Sequence, residues 1–156
     1  VTANIRRILV LCEGNHCRSP LAEALLQEAL GPTVEVSSAG LGALVGYPAH
    51  PEAQQIMREQ GLDIAAHRGR QFTPAAALRA DLILVMDKAQ KEACDRLAPS
   101  ARGRIFLLGH WLPPEEQEIP DPIQRGSKAH RAAHAHILRA LEGWLPRLRR
   151  GHHQQP

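Results

Sequence analysis

The chain is 156 residues long, 44% hydrophobic and mildly basic, at +3 with its histidines neutral; this suits one domain whose core needs no disulfide or metal to hold it. No apolar run reaches roughly 18 residues, so membrane insertion is not expected, and the apolar stretch after Arg6 and Arg7 meets Glu13 too soon for a signal peptide. Three cysteines, an odd count without scaffold spacing, point to a reducing, cytoplasmic compartment.

Ile8-Leu9-Val10-Leu11 is a short apolar run ending in a glycine-containing turn, the pattern of a buried strand. From Arg18 to Leu30 the spacing becomes helical, with Leu21, Ala24, Leu25 and Ala29 recurring, and Gly31-Pro32 stops the helix. A second strand runs from Val34 to Ser38 and ends at Ala39-Gly40. A glycine- and proline-rich loop follows, then a helix from about Glu52 to Gln60. Thr73-Pro74 caps and opens another short helix. Leu82-Ile83-Leu84-Val85 is apolar throughout and is expected to be buried on both faces. Asp87 opens a helix through Leu97, and Ile105 to Leu108 forms a further strand. A loop from Pro113 to Pro122 leads to a last helix from Ser127, where Ile137, Leu141, Trp144 and Leu148 make a single core-facing stripe. Arg147, Arg149 and Arg150 precede a polar end and are expected to be solvated, with no nucleic-acid partner. The expected layout is one domain over residues 1–150 and a polar tail over 151–156. Alternating strands and helices imply an α/β fold in three layers, a four-stranded parallel sheet with helices on both faces.

In such a sheet a ligand sits beyond the carboxyl ends of the strands. The turn after the first strand reads Cys12-Glu13-Gly14-Asn15-His16-Cys17-Arg18-Ser19, a cysteine and an arginine separated by five residues. A loop curled over a helix N-terminus aims successive backbone N–H groups at one point, a nest for a phosphate dianion. Gly14 supplies the positive φ that such curling needs, and Asn15 adopts it cheaply as well. The planar fork of Arg18 holds two phosphate oxygens at once. Cys12 lies at the bottom of the nest, where the same dipoles favour a nucleophilic thiolate. Ser19 is placed to donate a hydrogen bond to that sulfur.

The stretch from Val10 to Glu23 closely resembles the signature of the low-molecular-weight protein tyrosine phosphatases. The resemblance continues through Ser37-Ser38-Ala39-Gly40, Gly46-Tyr47-Pro48-Ala49-His50-Pro51, His67-Arg68-Gly69-Arg70-Gln71, Asp81 to Asp87 and Ile119-Pro120-Asp121-Pro122, nearly the whole chain. It implies a two-step hydrolysis of phosphotyrosine through a phosphocysteine, without metal or cofactor. Cys12 is then the nucleophile, Arg18 the phosphate clamp and Asp121 the general acid and base. Residues Cys12 to Arg18 form the phosphate-binding loop, which Asn15, Ser38 and His67 brace by hydrogen bonds. Cys17 matches a cysteine that forms a reversible disulfide with the nucleophile under peroxide. Within the family, the segment from Gly109 through the Ser127 helix resembles bacterial members paired with tyrosine autokinases of exopolysaccharide export. The implied partner is therefore a tyrosine-phosphorylated protein such as such a kinase, and the implied state a monomer or weak dimer.

The substrate rim departs from the family pattern. Glu13 and His16 stand where many members carry apolar residues. A carboxylate ~7 Å from phosphate costs about 2 kcal/mol per unit charge at an effective dielectric near 20, so Glu13 is expected to point outward and pair with His16. Ile123 replaces the aromatic residue that often follows Asp-Pro, which leaves ring recognition to Tyr47 and His16. A phosphoarginine-specific branch carries threonine at the position of His16, so the histidine argues against that activity. Arsenate reductases of this fold need two further clustered cysteines, and only Cys94 remains, expected to be partly buried on its helix. A phosphate-binding module without turnover would have no need of Cys12, Arg18 and Asp121 together. His130, His134 and His136 are expected to face different sides of the last helix, so no metal site is expected.

Overall fold

The computed structural model describes residues 5–153, with side chains up to Arg149. Strands β1 (Arg7–Cys12), β2 (Glu35–Gly40), β3 (Leu82–Val85) and β4 (Ile105–Leu107) form one sheet in the order β2-β1-β3-β4. Every pairing is parallel, with Cys12 level with Gly40 and Val10 level with both Ser38 and Leu84. The helices are α1 (Arg18–Leu30), α2 (Pro51–Glu59), α3 (Pro74–Arg79), α4 (Lys88–Leu97) and α5 (Gly126–His153), with 3-10 turns at Pro99–Arg104 and Pro114–Glu116. The chain leaves β1 toward β2 on one side and later returns to β3 on the other. The carboxyl end of β1, Cys12, is therefore the switch point where an open α/β sheet leaves a crevice.

Side-chain alternation along β1 divides the core in two. Ile8, Val10 and Cys12 join Leu82, Leu84 and Met86 beneath α1, α2 and α5. Leu9 and Leu11 join Ile83 and Val85 beneath α3 and α4. Leu82 to Val85 have no exposed surface, each worth about 1.5–3 kcal/mol by area removed from water. The stripe on α5 is buried as its spacing requires, and Trp144 donates its ring N–H to the Leu108 carbonyl at 2.8 Å. That bond is what allows a fully buried indole. Helix starts follow local chemistry: Thr73 accepts from Ala76 N, Asp87 from Gln90 N and His50 from Glu52 N.

Several details differ from the sequence expectations. The β2 ladder runs through Gly40 because β1 continues to Cys12 beside it. On α1 the buried apolar residues are Pro20, Leu21, Ala22 and Leu26, while Ala24, Leu25 and Ala29 are only half-buried. The helix is rotated so that Arg18 and Ser19 also face inward. Cys94 is fully buried under β3 and β4 although charged residues flank it in sequence, and burial pushes its thiol up to about 11. Helix α5 continues through Gly151 to His153, where the sequence suggests a tail; residues 154–156 lie outside the described residues. No helix among the described residues is long and apolar enough to cross a membrane.

Candidate active site

The loop from Cys12 to Arg18 is shaped from outside by its carbonyls. The oxygens of Cys12, Glu13 and Gly14 accept from the amides of Leu41, Gly42 and Leu44 at 3.1, 2.9 and 2.9 Å. The Asn15 oxygen lies 2.9 Å from His67 Nε2, and the His16 oxygen accepts from His50 N at 2.9 Å. With successive carbonyls held outward, the amides of Glu13 to Cys17 find no protein acceptor among the described residues. They surround the N-terminus of α1, the geometry of an anion nest. Gly40 lies against this loop so closely that an added Cβ would stand 2.7 Å from the Glu13 oxygen and 2.9 Å from Asn15 N. Of the two residues that the sequence offers for a positive φ, Asn15 adopts it, at 53°, and Gly14 does not. An asparagine does this at modest cost, since its side chain gains local hydrogen bonds.

Those bonds make Asn15 the hub of a buried network. Its Nδ2 donates to Ser19 Oγ at 2.8 Å and to Ser38 Oγ at 2.9 Å, and its Oδ1 accepts from Arg70 N at 3.0 Å. Ser19 Oγ lies 3.0 Å from Cys12 Sγ, and Ser38 Oγ donates to Glu23 Oε1 at 2.5 Å. One relay thus runs from the sulfur through Ser19, Asn15 and Ser38 to Glu23. The sequence singles out Ser19, Asn15, Ser38 and His67 but not Glu23. Its one signal was a carboxylate on the half-buried face of α1.

Arg18 is 3% exposed. Its NH1 donates to the Ile119 carbonyl at 2.6 Å and its NH2 lies 3.4 Å from Asp121 Oδ2. Its Nε is buried without any protein partner. A buried guanidinium with an orphaned N–H needs an anion to complete it. Asp121 arrives because Ile119 N is pinned to the Met86 carbonyl at the end of β3. Asp121 Oδ1 also accepts from Ile123 N at 3.1 Å, closing the turn that aims Oδ2 inward. A cavity of about 490 Å³ opens on this pair, bounded also by Glu13, Leu41, Asp87 and Leu97.

The rim residues are less closely grouped. Glu13 is exposed and does not pair with His16: its Oε1 lies over Gly42, and His16 Nδ1 is taken by the Pro48 carbonyl at 2.9 Å. Tyr47 and Ile123 are 59% and 38% exposed. Cys17 is buried near Cys12, and burial, then Asp121 and Cys12, push its thiol up to about 12. His130 packs on His50, and His136 Nε2 lies 2.6 Å from the Glu116 carbonyl. Among the described residues no group of three His, Cys, Asp or Glu side chains is arranged to hold a metal ion.

Comparison with known proteins gives a concordant result. The chain is 48% identical over 145 residues to a probable low molecular weight protein-tyrosine-phosphatase, EpsP, of Ralstonia solanacearum, covering 93% of this chain and 97% of that one. Its fold matches the tyrosine phosphatase Wzb of Escherichia coli K30, solved with sulphate, at a TM-score of 0.87 and 41% identity, over 92% and 99% of the two chains. It also matches the YwlE arginine phosphatase of Geobacillus stearothermophilus at 0.88 and 30% identity, over 97% of each. The family model of the low molecular weight phosphotyrosine protein phosphatases spans residues 7–154, and with Cys12, Arg18 and Asp121 gathered at the end of β1 the chain belongs to that family.

Proposed function

We propose that the protein hydrolyses phosphotyrosine in a protein substrate, with Cys12 as nucleophile, Arg18 as phosphate clamp and Asp121 as general acid and base. The observation that carries the reading is the buried Arg18 guanidinium, with Nε unpaired and NH2 on Asp121, beside a loop of outward carbonyls around Cys12. A phosphate dianion in that nest receives the loop amides and Arg18 Nε, and relieves the pairing of Asp121 with the guanidinium. The Cys12 thiolate attacks phosphorus, the bond from phosphorus to the tyrosyl oxygen breaks, and Asp121 gives its proton to the leaving phenolate. Proton delivery of this kind is worth roughly 10²–10⁴-fold in rate. Water then attacks the phosphocysteine and yields a proton to Asp121. The sulfur leaves as thiolate, steadied by Ser19 Oγ, and inorganic phosphate departs. Arg18 and the loop amides offset the equatorial charge in both steps without a metal.

The preferred substrate is an aryl phosphate, because His16 and not a small residue flanks the nest. A tyrosine kinase of exopolysaccharide export, phosphorylated on itself, is the substrate protein that the subfamily resemblance suggests. Phosphoarginine is the second reading, favoured by the fold match to an arginine phosphatase and by Glu13 and Asp87 in the cavity wall. The deciding experiment compares phosphotyrosine, phosphoarginine and phosphoserine peptides with the intact protein and with Cys12→Ser, in EDTA. Metal-independent release of phosphate from phosphotyrosine alone, abolished in Cys12→Ser, is expected. A phosphoarginine preference overturns the substrate, and no turnover on any peptide or on para-nitrophenyl phosphate overturns the enzyme.

A further inference from the structure

His16, His50 and His130 come from three separate elements, the phosphate loop, the cap of α2 and the start of α5, yet their rings form one column. His50 stacks on His130 with centroids 4.3 Å apart and meets His16 edge to face at 5.3 Å. Two of the rings are fixed by hydrogen bonds. A carbonyl only accepts, so His16 Nδ1, 2.9 Å from the Pro48 oxygen, carries a proton. His50 Nδ1 accepts from Glu52 N at 3.0 Å and is therefore bare. His130 is 2% exposed and stands near the start of the helix that follows the Asp121 loop. The column thus joins the loop that carries Cys12 to the helix that anchors the far end of the Asp121 loop.

We propose that His50 and His130 are positioning residues that hold Asp121 in place over the phosphate loop through this imidazole column, an inference that rests on the phosphatase reading above. Neither side chain needs to touch substrate. Packing of α2 on α5 does not by itself explain the column. Arg131, the next residue along α5, already clamps Glu59 of α2 with bonds of 2.8 and 2.9 Å. What the column adds is the connection onward to His16 and the phosphate loop.

The column holds together only while uncharged. A proton on His50 Nδ1 removes the acceptor of the Glu52 amide and places a cation against the His130 ring. The titratable and charged groups facing His50 and His130 are His16 from the phosphate loop, Glu52 from the first turn of α2 and Asp121 from its loop. Burial, then His130 and His16, push the His50 imidazole below its ordinary range. Burial does the same to His130, against the opposing pull of Glu52 and Asp121. At neutral pH the column is intact, and acid dissolves it.

The test is a double-mutant cycle on kcat for an aryl phosphate, combining His130→Ala with Asp121→Asn and run along a descending pH series from about 7.5. Alone, His130→Ala is expected to lower kcat about tenfold at about pH 7.5 with KM nearly unmoved, and the loss is expected to shrink to about twofold or less as the pH is lowered and the wild-type column takes up protons. In the Asp121→Asn background the same substitution is expected to change kcat by less than about twofold, since its effect runs through Asp121. His130→Phe, which keeps a ring, is expected to restore most of the loss. If His130→Ala does not fold, His50→Asn, which keeps a good cap on α2 and loses the ring, goes through the same cycle. A loss of equal size with and without Asp121, or unchanged along the whole pH series, shows a merely structural contact and overturns the proposal. Failure of the phosphatase reading is distinguishable, because the wild type itself would then show no Cys12-dependent turnover.

Discussion

Asn15 allows backbone strain and hydrogen bonding to be separated by two substitutions at one position. Its side chain makes bonds of 2.8, 2.9 and 3.0 Å to Ser19, Ser38 and Arg70 N, and its φ is 53°. Asn15→Ala removes all of them, at about 1 kcal/mol net for each. It also places a Cβ-bearing residue without local side-chain bonds in the left-handed region, which costs about 1 kcal/mol more. The expected destabilisation is about 4 kcal/mol for Ala and about 3 kcal/mol for Gly, which loses the same bonds without the strain. Urea unfolding followed by far-UV circular dichroism reads both values, provided the slope of the transition stays constant. Both variants should also lose about 10- to 100-fold in kcat/KM, because Ser19, no longer held by Asn15, leaves the sulfur without an oriented donor. Equal stability of Ala and Gly refutes the role given to the backbone conformation. A loss under about 1 kcal/mol in both refutes the network itself.

Glu13→Leu is expected to change kcat/KM for an aryl phosphate by less than about threefold, since an exposed carboxylate is screened; a rise of tenfold or more means that it faces the phosphate. After limited peroxide, in which the Cys12 sulfenic acid condenses with the Cys17 thiol and releases water, dithiothreitol should restore the wild type. Cys17→Ser should not recover, and equal recovery of the two rules out Cys17 as the protecting thiol. Stability should also fall in acid in two stages. His50, His130 and His134 all have folded pKa values lowered from 6.5, mainly by burial. They are neutral in both states at higher pH, but below 6.5 the unfolded chain takes protons first, so stability drops as the pH falls. Glu59, held down to about 2 from 4.5 by its hydrogen bonds from Arg131 and Gln55, adds a loss as pH falls from 4.5 toward 2. Thermal melts across this range check both stages: a flat profile below 6.5 contradicts the histidine burial, and Arg131→Ala should lessen the further loss below 4.5, by little because the pair is exposed.

The fold was legible because a parallel sheet writes its pattern plainly. Leu82 to Val85 can only be a strand buried on both faces, and the stripe on α5 can only face a core. Legibility failed where burial depends on how far an element is rotated. On α1 the apolar residues at helical spacing are not the most buried ones, because Arg18 and Ser19 must face the loop and turn Leu21, Ala22 and Leu26 inward with them. Cys94 has charged neighbours in sequence, but these stay half-buried or exposed around it while the thiol itself ends in the core.

At the site the same division runs between side chains and backbone. Cys12, Arg18 and Ser19 were readable because each has a chemical property that the turn after β1 calls for. The partners that fix them were not, since most are main-chain groups that carry no residue identity. The Ile119 carbonyl holds Arg18, the Arg70 amide holds Asn15, and the amides of Leu41, Gly42 and Leu44 pull the loop carbonyls outward. That the positive φ falls to Asn15 and not to Gly14 follows from this. A glycine is favoured wherever φ is positive, but at this turn three polar partners await a side chain, and only an asparagine meets both demands. The histidine column escaped for a related reason. His16, His50 and His130 lie far apart in sequence, and no spacing rule connects a loop, a cap and a helix start. What brings them together is the sheet order: β1 lies between β2 and β3, so the segment leaving β2 and the helix following β4 both pass the end of β1. A chain of this topology places the residues at those three positions near the end of β1, and in this one all three are imidazoles.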